Sequence, residues 1–486
     1  MNDVLLIMPV ALPLLGSIIA LALPRRAEHI GLLATAGGVV ATLAIGWQVL
    51  HGGQLQLALG GWQPGLGIAL RADALSTLLL IMSALVMLAA SLYATSYFAE
   101  PQIKTHFWPL WLLMGAAVQA LLLSGDVFNL YVTLELLGLS AVALASLGGK
   151  RAAVEAALRY LTVGLLGSMS YLAGVALLYA AYGTLDIPTL ATRLDQQPAA
   201  WVALSLMTAG VLVKAALFPL HFWLPAAHAN APAPVSAALS ALVVKVAVYL
   251  IVRLWLDLFA PVLTPAHAGV LGVLGAIAVV WGSWLALRAT RLKLMAAYST
   301  VAQLGYLFVF LPLLLATPAG LQRDIVFGAL VVLALTHGFA KSAFFLAAGI
   351  IQQRAGHDRI TDLGGTARAL PVTTFVLALA GVALIGLPPS GTFLAKWQLL
   401  AAAVSSGQWL WIPVVGVGSL LAAAYVFRVL GHAFGPGERL GPTLRWGRQE
   451  VPALLLALVS TLGLGLAGNG VWTFLGRTGP MVWGAT

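Results

Sequence analysis

The sequence predicts an all-α polytopic membrane protein of about 14 transmembrane helices, and three observations carry that reading. Of its 486 residues, 61% are hydrophobic and only 8% are charged, and the mean hydropathy is +0.98. A soluble domain carries roughly 25% charged and 45–50% apolar residues, so this composition excludes a soluble enzyme, a disordered chain and a nucleic-acid binder. The apolar runs are continuous and near the length of about 20 residues that a spanning helix needs. A membrane barrel would instead alternate apolar and polar residues in segments of about ten. Hydrocarbon offers the backbone no partner, so each run has to satisfy its own hydrogen bonds as a helix. The net charge of +10 comes from 25 Lys+Arg set thinly against 15 Asp+Glu, which is no basic patch. The absence of cysteine excludes disulfides, a thiolate metal site and a Cys-held iron–sulfur cluster.

Fourteen runs follow in order, at about 4–23, 29–50, 74–97, 107–124, 127–147, 158–182, 200–222, 234–256, 268–288, 295–313, 325–351, 371–400, 409–432 and 452–476. Met1-Asn2-Asp3 lacks a positive leader, so the first run reads as a retained helix. Sixteen Lys and Arg lie in loops after odd-numbered spans, among them Arg25, Arg26, Lys150, Arg291, Arg439 and Arg445. Five lie on the other side, Arg71, Arg193, Arg253, Arg323 and Arg477. The positive-inside bias places the first group in the cytoplasm and both termini outside.

Two spans contain proline breaks. The seventh ends in Phe218-Pro219-Leu220-His221-Phe222-Trp223-Leu224-Pro225, and the twelfth contains Gly386-Leu387-Pro388-Pro389-Ser390-Gly391. Proline removes a backbone donor and clashes with the preceding turn. Broken helices at corresponding places in two halves point to an inverted repeat. The expected organisation is helices 1–3 over residues 1–106, a first repeat of helices 4–8 over 107–256, a second of helices 9–13 over 268–432, and a last helix over 452–476.

Ionisable residues inside the runs are few. Glu135 is the one carboxylate expected within a span, and Lys214, Lys245, His337, Lys341 and Lys396 are the buried cations and histidine. A charge at the bilayer centre costs about 2.5–3.5 kcal/mol on insertion scales, so these residues point to a hydrated interior. Snorkelling to the interface suits Lys396 best, because it lies nearest a span end. His337 and Lys341 are four apart and share one helix face. One Glu with several Lys and a His reads as a proton relay gated by one ion pair. Lys293, beside Arg288 and Arg291, is expected to sit in a water-solvated loop cluster. Arg151, Glu155 and Arg159, at four-residue spacing, read as an amphipathic cytoplasmic stretch.

Other motif matches carry nothing. Gly463-Leu464-Gly465-Leu466-Ala467-Gly468 fits a dinucleotide fingerprint but lies in an apolar run with no strand before it, where close helix packing accounts for it. His221 and His228 straddle a proline break and do not make a metal pair. No cofactor and no metal site is expected.

The stretch Gly125-Asp126-Val127-Phe128-Asn129-Leu130-Tyr131-Val132-Thr133-Leu134-Glu135 resembles the fifth-helix motif of antiporter-like subunits. That family is shared by Mrp-type sodium/proton antiporters, respiratory complex I and membrane-bound hydrogenases. Lys214 to Pro225 with Ala227 to Ser236, Leu292 to Tyr306, Thr336 to Leu346 and Gly386 to Lys396 are similar to the family's later motifs, in the same order. Gly60-Gly61-Trp62, Asp73 and Ser76 look most like the D-type subunit of the Mrp antiporter, and Lys396 argues against the complex I subunit that carries Glu there. The resemblance implies fourteen helices with repeats in 4–8 and 9–13. It implies a Glu135–Lys214 coupling pair, Lys245 as the next relay lysine, His337 and Lys341 as the bridge between halves, and Lys396 as the lysine leading to exit. It further implies a proton-translocating subunit of a multi-subunit cation/proton antiporter in the plasma membrane. The alternative is the proton-pumping subunit of a complex I-like oxidoreductase or hydrogenase. Expected partners are other membrane subunits, protons, anionic lipids and, left open, sodium; nucleic acid is not among them.

Overall fold

The computed structural model describes residues 3–62, 67–437 and 447–477. Met1, Asn2, Arg439 and Arg445, used above for the leader and the charge bias, lie outside the described residues. Three helices come first: α1 (Met8–Ala22), α2 (Ala27–Gly52) and α3 (Ala74–Tyr97). Then follow α4 (Pro101–Leu123), α5 (Val127–Ala145), α6 (Arg151–Tyr182) and the short α7 (Ile187–Arg193). The seventh apolar run is split into α8 (Pro198–Lys214) and α9 (Leu224–Asn230). Next come α10 (Ala233–Leu258), α11 (Pro265–Arg288), α12 (Leu292–Ala316) and α13 (Leu321–Ala355). The twelfth run is split into α14 (Pro371–Ile385) and α15 (Gly391–Ser405). The described chain closes with α16 (Trp411–Phe434), α17 (Glu450–Leu466) and α18 (Gly468–Arg477).

Among the described residues ten helices are long and apolar enough to cross a membrane, or eleven with the bent pair α17 and α18 counted as one span. Three apolar helices, α1, α8 and α14, are shorter. Two of these three end at the proline breaks, so the shortfall against fourteen full-length runs comes largely from breaking, not from missing apolar sequence. One short hairpin accompanies the helices. β1 (Leu55–Ala58) and β2 (Ala69–Ala72) pair antiparallel, with Leu57 opposite Leu70. This hairpin lies in the connection between α2 and α3, where backbone pairing need not survive in lipid.

Every residue in the most apolar window of α10 and of α13 is buried. These two helices, enclosed on every side, form the centre of the molecule, with α12 beside them. Such helices can be charged only if the charge is satisfied inside the protein.

The two breaks differ in detail and share an outcome. Lys214 is the last residue of α8, and Ala216 just beyond takes a left-handed φ of 50°, a costly conformation for a residue with a Cβ. Trp223 donates from its indole to the Val213 carbonyl at 2.9 Å and stacks on Tyr160 with centroids 4.3 Å apart. Those contacts hold the break against α8 and α6. In the second break Gly386 ends α14 at φ 86°, and Ser390 caps α15 through the Phe393 N–H at 3.3 Å.

Two isolated backbone bridges also match. At the start of α5, Asp126 bridges Asp186, with Val127 N–H donating to Leu185 O at 2.9 Å. At the start of α12, Arg291 bridges Arg359, with Leu292 N–H donating to Asp358 O at 2.7 Å.

Helix pairs close through glycine. A Cβ on Gly305 of α12 would collide with the Gly275 carbonyl of α11, and one on Gly275 would lie 2.6 Å from the Gly305 carbonyl. Backbone against backbone leaves no flexible atom to move aside. Gly305→Leu is therefore expected to separate α11 from α12 at a cost of about 1–3 kcal/mol, the usual range for overpacking. Thermal melting of the detergent-solubilised protein should show it as a lower midpoint, while Leu at the open Gly416 should leave the midpoint near wild type.

Candidate functional site

The interior holds two polar groups of residues. The first is the Glu135–Lys214 pair. Lys214 Nζ lies 3.1 Å from Glu135 Oε1, and both side chains are largely buried. Ser168 of α6 also donates its hydroxyl to this carboxylate. Lys214 stands at the C-terminal end of α8, where unpaired carbonyls favour a cation. The site has room for the ammonium because Gly138 and Gly164 face it: a Cβ at either would sit 3.3 or 3.5 Å from Nζ.

The second group runs through the centre. Lys245 donates to the Ser240 carbonyl at 2.5 Å. Residues Leu239–Val243 of α10 form a π-helical turn, a local widening that often marks functional positions. The Ser240 hydroxyl lies 2.8 Å from Thr300 Oγ1 of α12. Thr300 donates to the Ala296 carbonyl at 3.0 Å, and Lys341 of α13 donates to the same carbonyl at 2.8 Å and to the Ser299 hydroxyl. Lys245 and Lys341 are thus linked across three helices through Ser240 and Thr300, each lysine being held by a backbone carbonyl that only accepts. His337, one turn from Lys341, is buried with both ring nitrogens unpartnered.

Ser299, Gln303 and Tyr306 continue along one face of α12. Gln303 donates to Leu384 O at 2.8 Å, at the end of α14. Lys396 of α15 reaches back across the break to Ile385 O at 3.0 Å and to Ser419 Oγ at 2.9 Å, over the Tyr306 ring at 4.4 Å. It is 4% exposed, so it does not snorkel.

The structure therefore brings Lys245, Lys341 and Lys396 along one polar line, with His337 beside it. It places Glu135 and Lys214 together but with no hydrogen bond to Lys245 among the described residues. Among those residues no three His, Asp or Glu converge to hold a metal ion. Sequence reasoning missed Ser168, Ser240, Ser299, Thr300 and Gln303. Their signal was small, a few hydroxyls and one amide in otherwise apolar helices.

Three expectations need correction. Glu135 is not the one carboxylate within a helical span, since Asp257 lies in α10 and is buried against Arg253. Arg253 does not belong to a loop. Its guanidinium grips both Asp73 oxygens at 2.5 Å and Asp257 at 2.8 Å, with the Tyr249 ring 5.0 Å away. Lys293 is not solvated. It is 2% exposed, and its ammonium donates to the Ala231 carbonyl. Arg151 and Glu155 do pair on the surface, at 2.7 Å.

The transmembrane family described as "NADH:quinone oxidoreductase/Mrp antiporter, TM" matches residues 124–422. The chain is 36% identical over 458 residues to the N subunit of the NADH-quinone oxidoreductase of Desulforudis audaxviator (strain MP104C), covering 90% of this chain and 89% of that one. It is 27% identical over 470 residues to the D-type subunit of the Na(+)/H(+) antiporter of Bacillus subtilis (strain 168), covering 94% and 93%. A chain in the structure of the Mrp complex from Dietzia sp. DQ12-45-1b superposes with a TM-score of 0.87 at 26% identity, over 98% of this chain and 97% of that one.

The Arg253 cluster yields a stability test. Burial by itself raises the Asp73 carboxyl, but the Arg253 charge and hydrogen bonds, with the Ser76 N–H, hold it below the usual carboxylate range. A carboxylate lowered in the folded state contributes stability above its unfolded value of about 3.9 and loses it as pH falls through the folded value. Asp73→Asn should cost about 3 kcal/mol at neutral pH, because it leaves a buried guanidinium under-paired. Melting as a function of pH should show the variant closest to wild type in strong acid.

Proposed function

We infer the function from a plain premise: the chain belongs to the NADH:quinone oxidoreductase/Mrp antiporter transmembrane family. On that premise we propose that it is a proton-translocating subunit of a multi-subunit cation/proton antiporter in the plasma membrane. The observation that carries the proposal is the Glu135–Lys214 pair, 3.1 Å apart at the end of a broken helix. While the pair is closed, the ammonium has its counter-ion. When the carboxylate moves away, an unpaired ammonium among apolar side chains is unfavourable. Its proton then passes toward Lys245 and on to Lys341 and Lys396, with the Ser240 and Thr300 hydroxyls lying between α10 and α12 on the way.

The two backbone bridges support inverted repeats of helices 4–8 and 9–13. They stand five spans apart, and an odd number of crossings puts them on opposite faces. One carries Asp126 and Asp186, the other Arg291 and Arg359. The charge difference agrees with an arginine-rich cytoplasmic face and with outward termini. A second reading, a proton-pumping subunit of a redox enzyme, is favoured by the greater identity to the oxidoreductase relative, 36% against 27% for the antiporter relative. Both readings assign this chain the same chemistry. The co-purifying chains separate them: small hydrophobic antiporter subunits in one case, iron–sulfur and quinone-binding chains in the other.

Glu135→Gln should assemble and lose proton-coupled transport in everted membrane vesicles. Wild-type transport by that variant would remove the coupling pair from the mechanism. Lys214→Arg keeps the charge, but arginine does not deprotonate in proteins. It should also assemble and be inactive. Near-normal transport would mean that charge alone matters at this position and that the proton bypasses it.

A further inference from the structure

The phenol of Tyr160 has no part in the pathway just described. Tyr160, Gly164 and Ser168 follow one another at four-residue spacing on α6 and so share one face. The coupling pair lies against that face: Ser168 donates to the Glu135 carboxylate, and Gly164 stands open opposite the Lys214 ammonium. Tyr160 is the next residue of the series. It is 2% exposed, and its hydroxyl has no hydrogen-bond partner. A hydroxyl buried away from every partner costs stability, so packing alone would be better served by phenylalanine.

Glu135, Lys214, Gly138, Gly164 and Tyr160 line one small cavity. A methyl group on Gly164 would lie 3.5 Å from Lys214 Nζ and 3.9 Å from Tyr160 Cε2, the ring carbon next to the one that bears the hydroxyl. The ammonium and the phenol thus border the same methyl-sized space, which the glycine leaves open. The ring itself is held in place. It stacks on Trp223 with centroids 4.3 Å apart and planes 8° apart. The Trp223 indole in turn donates to the Val213 carbonyl, one residue before Lys214, at 2.9 Å. The lysine, on its flexible four-carbon stem, is the partner that can turn.

An ammonium has three donors and no acceptor, so the phenol O–H has nothing to give it. A lysine that has lost its proton carries a lone pair, and the same O–H then has an acceptor beside it. We propose that Tyr160 is the partner of the neutral Lys214 amine: once the Glu135 pair has opened and the lysine proton has left, the amine turns past Gly164 and accepts a hydrogen bond from the phenol. No covalent bond changes in this step. One hydrogen bond forms where the closed state has an unpartnered hydroxyl. The phenol thereby favours the discharged state over the charged one, and only such a difference between states shifts a gate. The inference rests on the proton-translocation reading and adds to it a residue that stabilises the discharged half of the cycle.

The test uses the whole complex in everted vesicles, with assembly followed by co-purification of its other subunits and Glu135→Gln run alongside. Tyr160→Phe keeps the ring and its stack on Trp223 and removes the hydroxyl alone. It should assemble and melt at or above the wild-type midpoint, because a buried unpartnered group is gone. Its transport should nevertheless fall by roughly fivefold to tenfold, the worth of one hydrogen bond. A residue that served packing alone would not show that split. If Glu135→Gln is inactive while Tyr160→Phe transports at the wild-type rate, the hydroxyl plays no part and the inference falls, with the underlying reading untouched. It falls equally if Tyr160→Phe melts lower or fails to assemble, because the hydroxyl then supports the closed state. If Glu135→Gln is active, the underlying reading falls first.

Discussion

An ammonium group buried among apolar helices must find oxygen inside the protein, and an unbroken helix has almost none to give. Its carbonyls are already bonded four residues on. Oxygen becomes available where the helical ladder is interrupted, and that constraint accounts for much of this architecture. Lys396 takes the Ile385 carbonyl at the end of α14, just before the second break. Lys245 takes the Ser240 carbonyl inside a π-helical turn. Lys293 takes the Ala231 carbonyl beyond the end of α9. Lys341 is the exception, since Ala296 lies within the continuous α12, and there the Ser299 hydroxyl supplies the second oxygen. Proline breaks and widened turns thus serve as ligands, which explains why so few carboxylates are needed among so many cations.

Lys214 differs from the other four because its partner is a carboxylate. Backbone carbonyls cannot leave a buried cation without unwinding the helix that carries them. A side-chain carboxylate can swing away by rotating about its own bonds. Of the five buried lysines, Lys214 is therefore the one whose charged partner can move without local unfolding; Lys341 and Lys396 have movable hydroxyls but keep a backbone carbonyl as well. On the proton-translocation reading proposed above, that distinction in mobility, more than depth or exposure, makes it the place for a gate. The glycines facing the ammonium, Gly138 and Gly164, keep room for movement on the Glu135 side.

Much of this was legible in the sequence. Continuous apolar runs gave the helices, paired prolines gave the two breaks, and the rarity of ionisable residues in those runs marked Glu135, Lys214, Lys245, His337, Lys341 and Lys396. What escaped was whatever depends on distant segments. Lys293 reads as a loop residue because Arg288 and Arg291 are its neighbours, yet the carbonyl it binds lies 62 residues away. Arg253 reads as a span-end charge because its main partner, Asp73, is 180 residues away. The π-helical turns have no sequence signature, since the same Leu, Ser, Ala and Val residues fit an ordinary helix equally well. Nor did anything local mark Ser240 and Thr300 as facing one another.

The link between the halves at Ser240 and Thr300 has its own physical consequence. Each hydroxyl has one proton and two lone pairs, so each can pass a proton on only by accepting at one side and donating at the other. After one passage both hydroxyls point the wrong way and must rotate before the next. Both residues are fully buried on helices whose centres are enclosed almost throughout. Lys245 is held by the Ser240 carbonyl and Lys341 by the Ala296 carbonyl, and among the described residues neither lysine hydrogen-bonds to the Ser240 or the Thr300 hydroxyl. A pathway built from water alone would leak in either direction. On the proton-relay reading, a lysine must therefore let go of its carbonyl before it can hand a proton to a hydroxyl, so a change of state at the lysines comes before any passage between the halves.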